Sequence, residues 1–262
     1  MSSDEDLMCW LLLENNVLKT RRRKRTWIHK CNEDRSSGEF NKTFQTLRNY
    51  PDKFKEYHRM SIETFYYILE GIEDNISGQS NFRECISPEE KLNITIRYLA
   101  TGMSFRSLGL TFRMNDYTVG KCVSSVVDAI WNNFYERHLS VPDQKEFEQI
   151  AVEFNERWNF IHAIGCIDGK HIRIKCPKQS GTTYFNYKKY FSVVLQAVAD
   201  YRCRFLFVDV GGYGKQHDGQ TFTASTLSTF LENCHNTLPQ PLPIEGIATN
   251  MPLLCLEPML IL

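Results

Sequence analysis

The run Gly165-Cys-Ile-Asp-Gly-Lys-His-Ile-Arg-Ile174 constrains the fold more than any other. Ile164, Ile167, Ile172 and Ile174 are β-type anchors. They predict a strand that delivers one carboxylate, Asp168, at a turn flanked by Gly165 and Gly169. Glycine lets a second backbone or a ligand approach closely. A second acid, Asp218, stands in Gly-Tyr-Gly-Lys-Gln-His-Asp after two further β-type runs. Two acids near strand ends offer the hard oxygen donors that a Mg²⁺ or Mn²⁺ site for phosphodiester cleavage requires. Asp218 is also in place to be a plain helix N-cap. His171 and His217 read first as makers of structural hydrogen bonds, and second as phosphate contacts.

Around this run the chain changes character. Residues 1–40 read as a basic, loosely ordered tail; residues 19–30 (KTRRRKRTWIHK) carry no acid. Such a run is either a solvated tail or a nuclear-import or phosphate-binding element. Residues 41–160 read as helical. Ser61 is placed to cap a helix with Phe65, Leu69 and Ile72 on one face. Ser87-Pro88-Glu89-Glu90 predicts an N-cap with a capping-box glutamate. The helix that follows carries Leu92, Ile96 and Leu99 and stops at Gly102. A further helix from Asp116 keeps Val119, Val123, Val126, Val127, Ile130 and Trp131 in helical spacing. Another, from near Pro142, buries Phe147, Ile150, Phe154 and Trp158. Then come three β-type runs, at 163–174, 191–199 and 204–211, with a hairpin turn at Asp200–Cys203. A helix over 219–233 packs Phe222, Leu227, Phe230 and Leu231. A proline-rich connector, LPQPLP, occupies 238–243. The order of elements implies an all-α domain followed by an α/β domain whose sheet starts antiparallel.

Ser104–Phe134 has the layout of a helix-turn-helix. Arg106, Arg113 and Lys121 are its candidate DNA contacts, and an ordinary helical hairpin is the alternative. Between the two acids, Tyr184-Phe-Asn-Tyr-Lys-Lys-Tyr-Phe191 mixes aromatics with Lys188 and Lys189. That mixture suits base stacking and phosphate contact, or a strand-edge aromatic cluster with snorkelling lysines. Asp200 reads as a turn residue. Asp209 reads as a solvent-facing strand residue outside the site. The formal net charge is zero, from 31 basic and 31 acidic residues, so global charge carries no nucleic-acid signature. The nine cysteines show no CxxC pair, which argues for free thiols and against a zinc quartet or a disulfide framework. No secretory signal and no membrane-spanning run are visible.

IDGKHIRIKCP and YFNYKKYFSVVLQAVADYRCRFLFVDVGGYGKQHDGQTF together resemble the DDE-type endonuclease domain of PIF/Harbinger transposases and the nucleases derived from them. SPEEKLNITIRYLATGMSFRSLGLTFRMNDYTVGKCV resembles the helix-turn-helix segment that precedes it. The resemblance covers about residues 50–235. It implies an N-terminal helical domain with a helix-turn-helix near 104–134, then an incomplete RNase H-like α/β domain over 163–262. It also implies divalent-metal-dependent DNA cleavage and a Myb/SANT-like partner. Nuclear localisation follows from it too, with the cytoplasm also open. Asp168 matches the family's first metal-binding aspartate and Asp218 the aspartate of its HD motif. The family's Gly-x-Asp-x-Tyr-Pro-Leu-type segment and later glutamate are not found, and Glu245 and Glu257 sit in no matching context. Synonymous codons exist for Leu253–Leu262 that, read from the third base, encode Ile-Val-Phe-Gly-Ala-Asp-Ala-Tyr-Pro. The expectation is therefore a frameshifted or mis-spliced C-terminus. Such a chain would lack a core strand of its sheet, be poorly stable and be weak or dead in catalysis. A non-catalytic DNA-binding adaptor and a decayed transposon product are the alternatives.

Overall fold

The computed structural model describes residues 28–78, 85–233 and 254–256, with the backbone alone for Asp218, residues 231–233 and residues 254–256. Residues 19–27 of the basic run, the 238–243 connector, Glu245, Glu257 and most of the 253–262 tail lie outside the described residues. So does the side chain of Leu231. The chain divides into two compact units, Met1–Trp131 and Asn132–Leu262.

The first unit holds α1 (Pro51–His58), α2 (Ile62–Ile76), α3 (Pro88–Thr101), α4 (Phe105–Thr111) and most of α5 (Asp116–His138). Local chemistry sets their ends. Ser61 Oγ accepts the Thr64 N–H and Ser87 Oγ accepts the Glu90 N–H, each satisfying an orphan donor of a first helical turn. Gly102 closes α3 in the left-handed conformation, φ 67°, which glycine adopts without steric cost. The capping-box role expected of Glu90 gives way to a longer-range contact. Its carboxylate takes Arg35 Nη2 at 2.6 Å. That pair also corrects the expectation of a loose tail up to residue 40. From residue 28 onward short helical turns lie against the helices, and Phe40 stacks on Phe44 at 5.2 Å.

Two apolar cores hold the unit. In one, Phe44, Phe54 and Phe65 are fully buried with ring centroids 5.4–5.9 Å apart. In the other, Ile94, Leu108, Phe112, Met114, Val119 and Val123 pack together. Each such ring is worth about 1.5–3 kcal/mol in transfer from water. Helical spacing overcounted the core. Leu99 is 60% exposed, Val127 41% and Trp131 57%.

The second unit begins with α6 (Gln144–Trp158), which a reciprocal capping box between Asp143 and Glu146 starts. The sheet follows: β1 (Ala163–Arg173), β2 (Ser192–Ala199), β3 (Phe205–Tyr213) and β4 (Leu254–Leu256), in spatial order β3-β2-β1-β4. The first three strands pair antiparallel, and β4 pairs parallel to β1. Leu254–Leu256, in the tail expected to have lost a core strand of the sheet, pair with β1 as a three-residue strand. Phe147 and Ala151 pack on Ile164, and Ile150 and Phe154 on Ala163 and Tyr201. These contacts put α6 with the sheet, whereas composition placed everything up to residue 160 in the helical domain. Trp158, expected in the core, is 48% exposed and donates its Nε1–H to the Tyr201 carbonyl at 3.2 Å.

Asp200 is the turn residue anticipated. Its Oδ1 accepts the N–H groups of Arg202 and Arg204, and its Oδ2 takes the Arg204 Nε–H at 2.7 Å. The single helix expected over 219–233 is two, α7 (Asp218–Thr223) and α8 (Thr226–Asn233). Ser225 Oγ accepts the Ser228 N–H at 3.2 Å as the local cap of α8, and Asp209 adds to it. Its Oδ2 accepts the Thr226 N–H at 2.9 Å and the Thr226 hydroxyl at 3.2 Å, capping α8 from β3.

His58 offers a test of the first unit. It is 1% exposed, with Nε2 2.8 Å from Asn93 Oδ1, and burial lowers its pKa. The unfolded chain then binds a proton near the ordinary histidine value of about 6.5 that the folded chain refuses. The stabilisation is fully present above that value and is lost as pH falls through it. The urea midpoint should drop between pH 7.5 and pH 5.5, and the drop should be smaller in His58→Gln. An identical drop in the variant would remove His58 as its source.

Candidate nucleic-acid and metal site

Asp168 lies in the middle of β1, not at a strand end, because pairing with β2 continues from Cys166–Ala199 to Arg173–Ser192. It is exposed, and its Oδ1 accepts its neighbour's N–H, Gly169, at 2.7 Å. Across the sheet it stands opposite Ala197, which stands opposite Val208, so these three share a face. Asp218 opens α7. That helix is seated through Thr221: a methyl at Gly212 would meet Thr221 Cγ2 at 2.8 Å and Val194 Cβ at 3.1 Å. Val194 is three residues from Ala197 on β2, so α7 lies on the sheet face opposite to that of Asp168.

A hard divalent cation takes several oxygen ligands. Among the described residues no group of three or more His, Cys, Asp or Glu side chains is placed to hold a metal ion. Asp168 alone does not fit a two-ion site, so the described donor set and the expected cofactor disagree.

The charge beside Asp168 is more definite. Residues 169–199 contain no Asp or Glu. Lys170, Arg173, Lys175, Lys178, Lys188 and Lys189 fall in that stretch, and all six are exposed. The last two sit on the hairpin loop between β1 and β2. That loop is tied down by buried groups. Asn186, 3% exposed, donates Nδ2–H to Ser192 Oγ at 2.9 Å, and its Oδ1 accepts the Tyr190 N–H at 3.2 Å. His171 Nδ1 lies 3.0 Å from the same Ser192 Oγ, which fulfils the expectation of a structural histidine. Lys189 takes φ 63° to make the turn. Sequence reasoning found Lys188 and Lys189 and missed the β1 basics. The signal was there to be read, as a long stretch without a single acid.

In the first unit α4 and α5 meet through a tight turn, with the Met114 N–H bonded to the Gly109 carbonyl at 2.8 Å. Arg106 is exposed. Arg113, half-buried, donates to the Cys31 carbonyl at 3.2 Å. Lys121 is exposed, its Nζ 5.0 Å from the Tyr117 ring centre. Both Arg113 and Lys121 line a cavity of about 1570 Å³ shared with Glu33 and Asp34. Hydrogen bonds from Ser36 and Ser37 hold the Asp34 carboxyl down at about 2, so it is charged at neutral pH. Acids facing the first turn of α5 weaken its attraction for a phosphate backbone.

A family model described as a DDE superfamily endonuclease matches residues 167–244, the segment that starts one residue before Asp168. The chain belongs to the Harbinger-derived nuclease family. It is 30% identical over 191 residues to the Arabidopsis thaliana protein Antagonist of Like Heterochromatin Protein 1, covering 70% of this chain and 47% of that one. Protein ALP1-like, also from Arabidopsis thaliana, is 27% identical over 74% of this chain and 49% of its own. The human protein named "Putative nuclease HARBI1" is 23% identical over 64% of this chain and 48% of its own. The chain spans about half the length of these relatives. No solved structure matches it. Among the described residues no helix is long and apolar enough to cross a membrane.

Within this Harbinger-family unit the loop position depends on Gly214. A methyl there would overlap the Tyr184 carbonyl and both the hydroxyl and the carbonyl of Ser192. Two of those atoms are backbone and cannot swing aside. Gly214→Ala should cost about 1–3 kcal/mol in urea unfolding, the range for overpacking. A loss under half a kilocalorie, roughly the ordinary surface range, would show that the loop yields freely.

Proposed function

We propose that this chain handles DNA as a transposase-derived nuclease, gripping the phosphate backbone along the acid-free basic stretch of residues 169–199. The observation that carries the reading is the exposed Asp168 at the head of that stretch, where the endonuclease match begins. Sheet order β3-β2-β1-β4, with β4 parallel to β1, supports an RNase H-like architecture. Hydrolysis of a phosphodiester bond with Mg²⁺ or Mn²⁺ is the chemistry proposed. Asp168 would supply one ligand, while Asp218 opens a helix on the opposite face of the sheet. The cation would stabilise charge on the reacting phosphate. With one described donor, Asp168, cation affinity is expected to be weak and turnover slow. Nuclear location and a Myb/SANT-like partner belong to the same proposal.

A second reading is DNA binding without cleavage, and the sparse metal ligation favours it. One of the plant relatives is named as an antagonist of a heterochromatin protein, not as a nuclease. The helical segment α4–α5 is proposed as a weaker DNA contact through Arg106 and Lys121.

Two measurements separate these readings. Mn²⁺-dependent nicking of supercoiled DNA that vanishes in Asp168→Asn supports the nuclease; salt-sensitive DNA binding that survives Asp168→Asn, with no nicking by either protein, supports the binder. Replacing Lys170, Arg173, Lys188 and Lys189 together by Ala should flatten the log–log salt dependence of affinity by up to about 0.9 per lost phosphate contact. Replacing Arg106, Arg113 and Lys121 should flatten it less. The reverse order would move the DNA site to the helical segment.

A further inference from the structure

The hairpin loop between β1 and β2 carries an aromatic ring in a position that folding alone does not explain. Tyr187 is 75% exposed, a large ring held in water at the tip of a loop. An exposed ring on a loose loop would fold back onto apolar surface, since burying it is favourable. Here it is kept out. The loop is closed by the Asn186 N–H to the Tyr190 carbonyl at 2.9 Å and the Lys189 N–H to the Asn186 carbonyl at 3.0 Å. Phe185 and Phe191 bridge its base, with rings 5.2 Å apart. The edge-on ring of His171, 5.6 Å away at 74°, braces Tyr187 from the strand below, and Ser192 in turn fixes His171. Lys188 Nζ stands 5.3 Å from the centre of the Tyr187 ring. The next aromatic along, Tyr190, lies under the Arg173 guanidinium at 4.5 Å.

A pre-organised ring among cations, in a stretch with no acid, matches one ligand chemistry well. A nucleobase stacks on the ring while the phosphates on either side meet Lys188 and Lys189. Duplex DNA keeps its bases stacked on one another and offers edges, not faces. We infer that Tyr187 is a stacking platform for an unpaired DNA base, so the chain holds a single strand, or a base extruded from duplex, at the β1–β2 hairpin loop. His171 lies three residues along β1 from Asp168, so the ring that braces Tyr187 is on the sheet face opposite to that carboxylate. This inference rests on the DNA-handling reading above and adds the state of the strand.

The test uses the full chain and two fluorescein-labelled probes, a twenty-nucleotide oligo-dT and a mixed-sequence duplex of the same length, compared by anisotropy. Tyr187→Ala should weaken oligo-dT binding about ten-fold, the effect of losing one stacked base. Duplex binding should change less than two-fold, about the scatter of a surface substitution. Tyr187→Trp should restore oligo-dT binding, and the salt slope should be unchanged in both variants because no charge is removed. A 2-aminopurine placed in the oligo-dT should be quenched on binding to the native chain and not to Tyr187→Ala. Equal weakening of both probes, or oligo-dT affinity unaffected by Tyr187→Ala, overturns the stacking role while leaving DNA handling intact. Absence of salt-sensitive binding to either probe by the native chain overturns both.

Discussion

The pairing of β1 with β2 is the constraint on which the second unit depends. From Cys166–Ala199 to Arg173–Ser192 the two strands run in unbroken register. That register does three things at once. It holds Asp168 exposed in mid-strand with Lys170 on the same face, it sends Arg173 to the other face, and it brings Ser192 to His171 so that the hairpin loop is anchored at its base. A slip of one residue would send each side chain to the other face. Apolar packing at the far end resists such a slip, where Phe154 and Ile150 of α6 cover Ala163 and Tyr201. Gly165 allows this fit, since a methyl there would run into the Val198 side chain at 2.5 Å.

Much of this was legible in the sequence, and the reasons are local. Ser61, Ser87 and Gly102 mark helix ends through hydrogen bonds or φ values that involve only near neighbours. The three antiparallel strands announced themselves by β-branched runs and a turn at Asp200. What failed needed distant partners. Arg35 claims Glu90 across 55 residues, which periodicity cannot foresee. Asp209 accepts from the first turn of a helix that begins 17 residues later, a contact that spacing does not announce. Val127 and Trp131 keep perfect helical spacing and remain half exposed, since spacing shows only that residues share a face. The candidate site divides the same way. Asp168 and the loop lysines could be picked from the sequence. That α7 sits on the face away from Asp168 follows from the fit of Thr221 against Gly212, which spacing does not reveal.

Charge is distributed unequally between the two segments proposed to meet DNA. The basic residues near α4–α5 share their surroundings with Glu33 and Asp34, and Arg113 is spent on the Cys31 carbonyl. The stretch after Asp168 has no such opposition. Asp200, the next acid in the chain, is buried and already paired with Arg204. Counterion release scales with the phosphates that cations meet. The account therefore places the main DNA contact on the sheet unit and gives the helical segment a lesser share.

The most direct test of that placement is hydrogen–deuterium exchange of the full chain with and without DNA. The account predicts slowed exchange in peptides spanning residues 169–191, strongest in the loop that carries Tyr187, Lys188 and Lys189, with a smaller effect over residues 104–121. Protection confined to residues 104–134, with the 169–191 peptides unchanged, would contradict it.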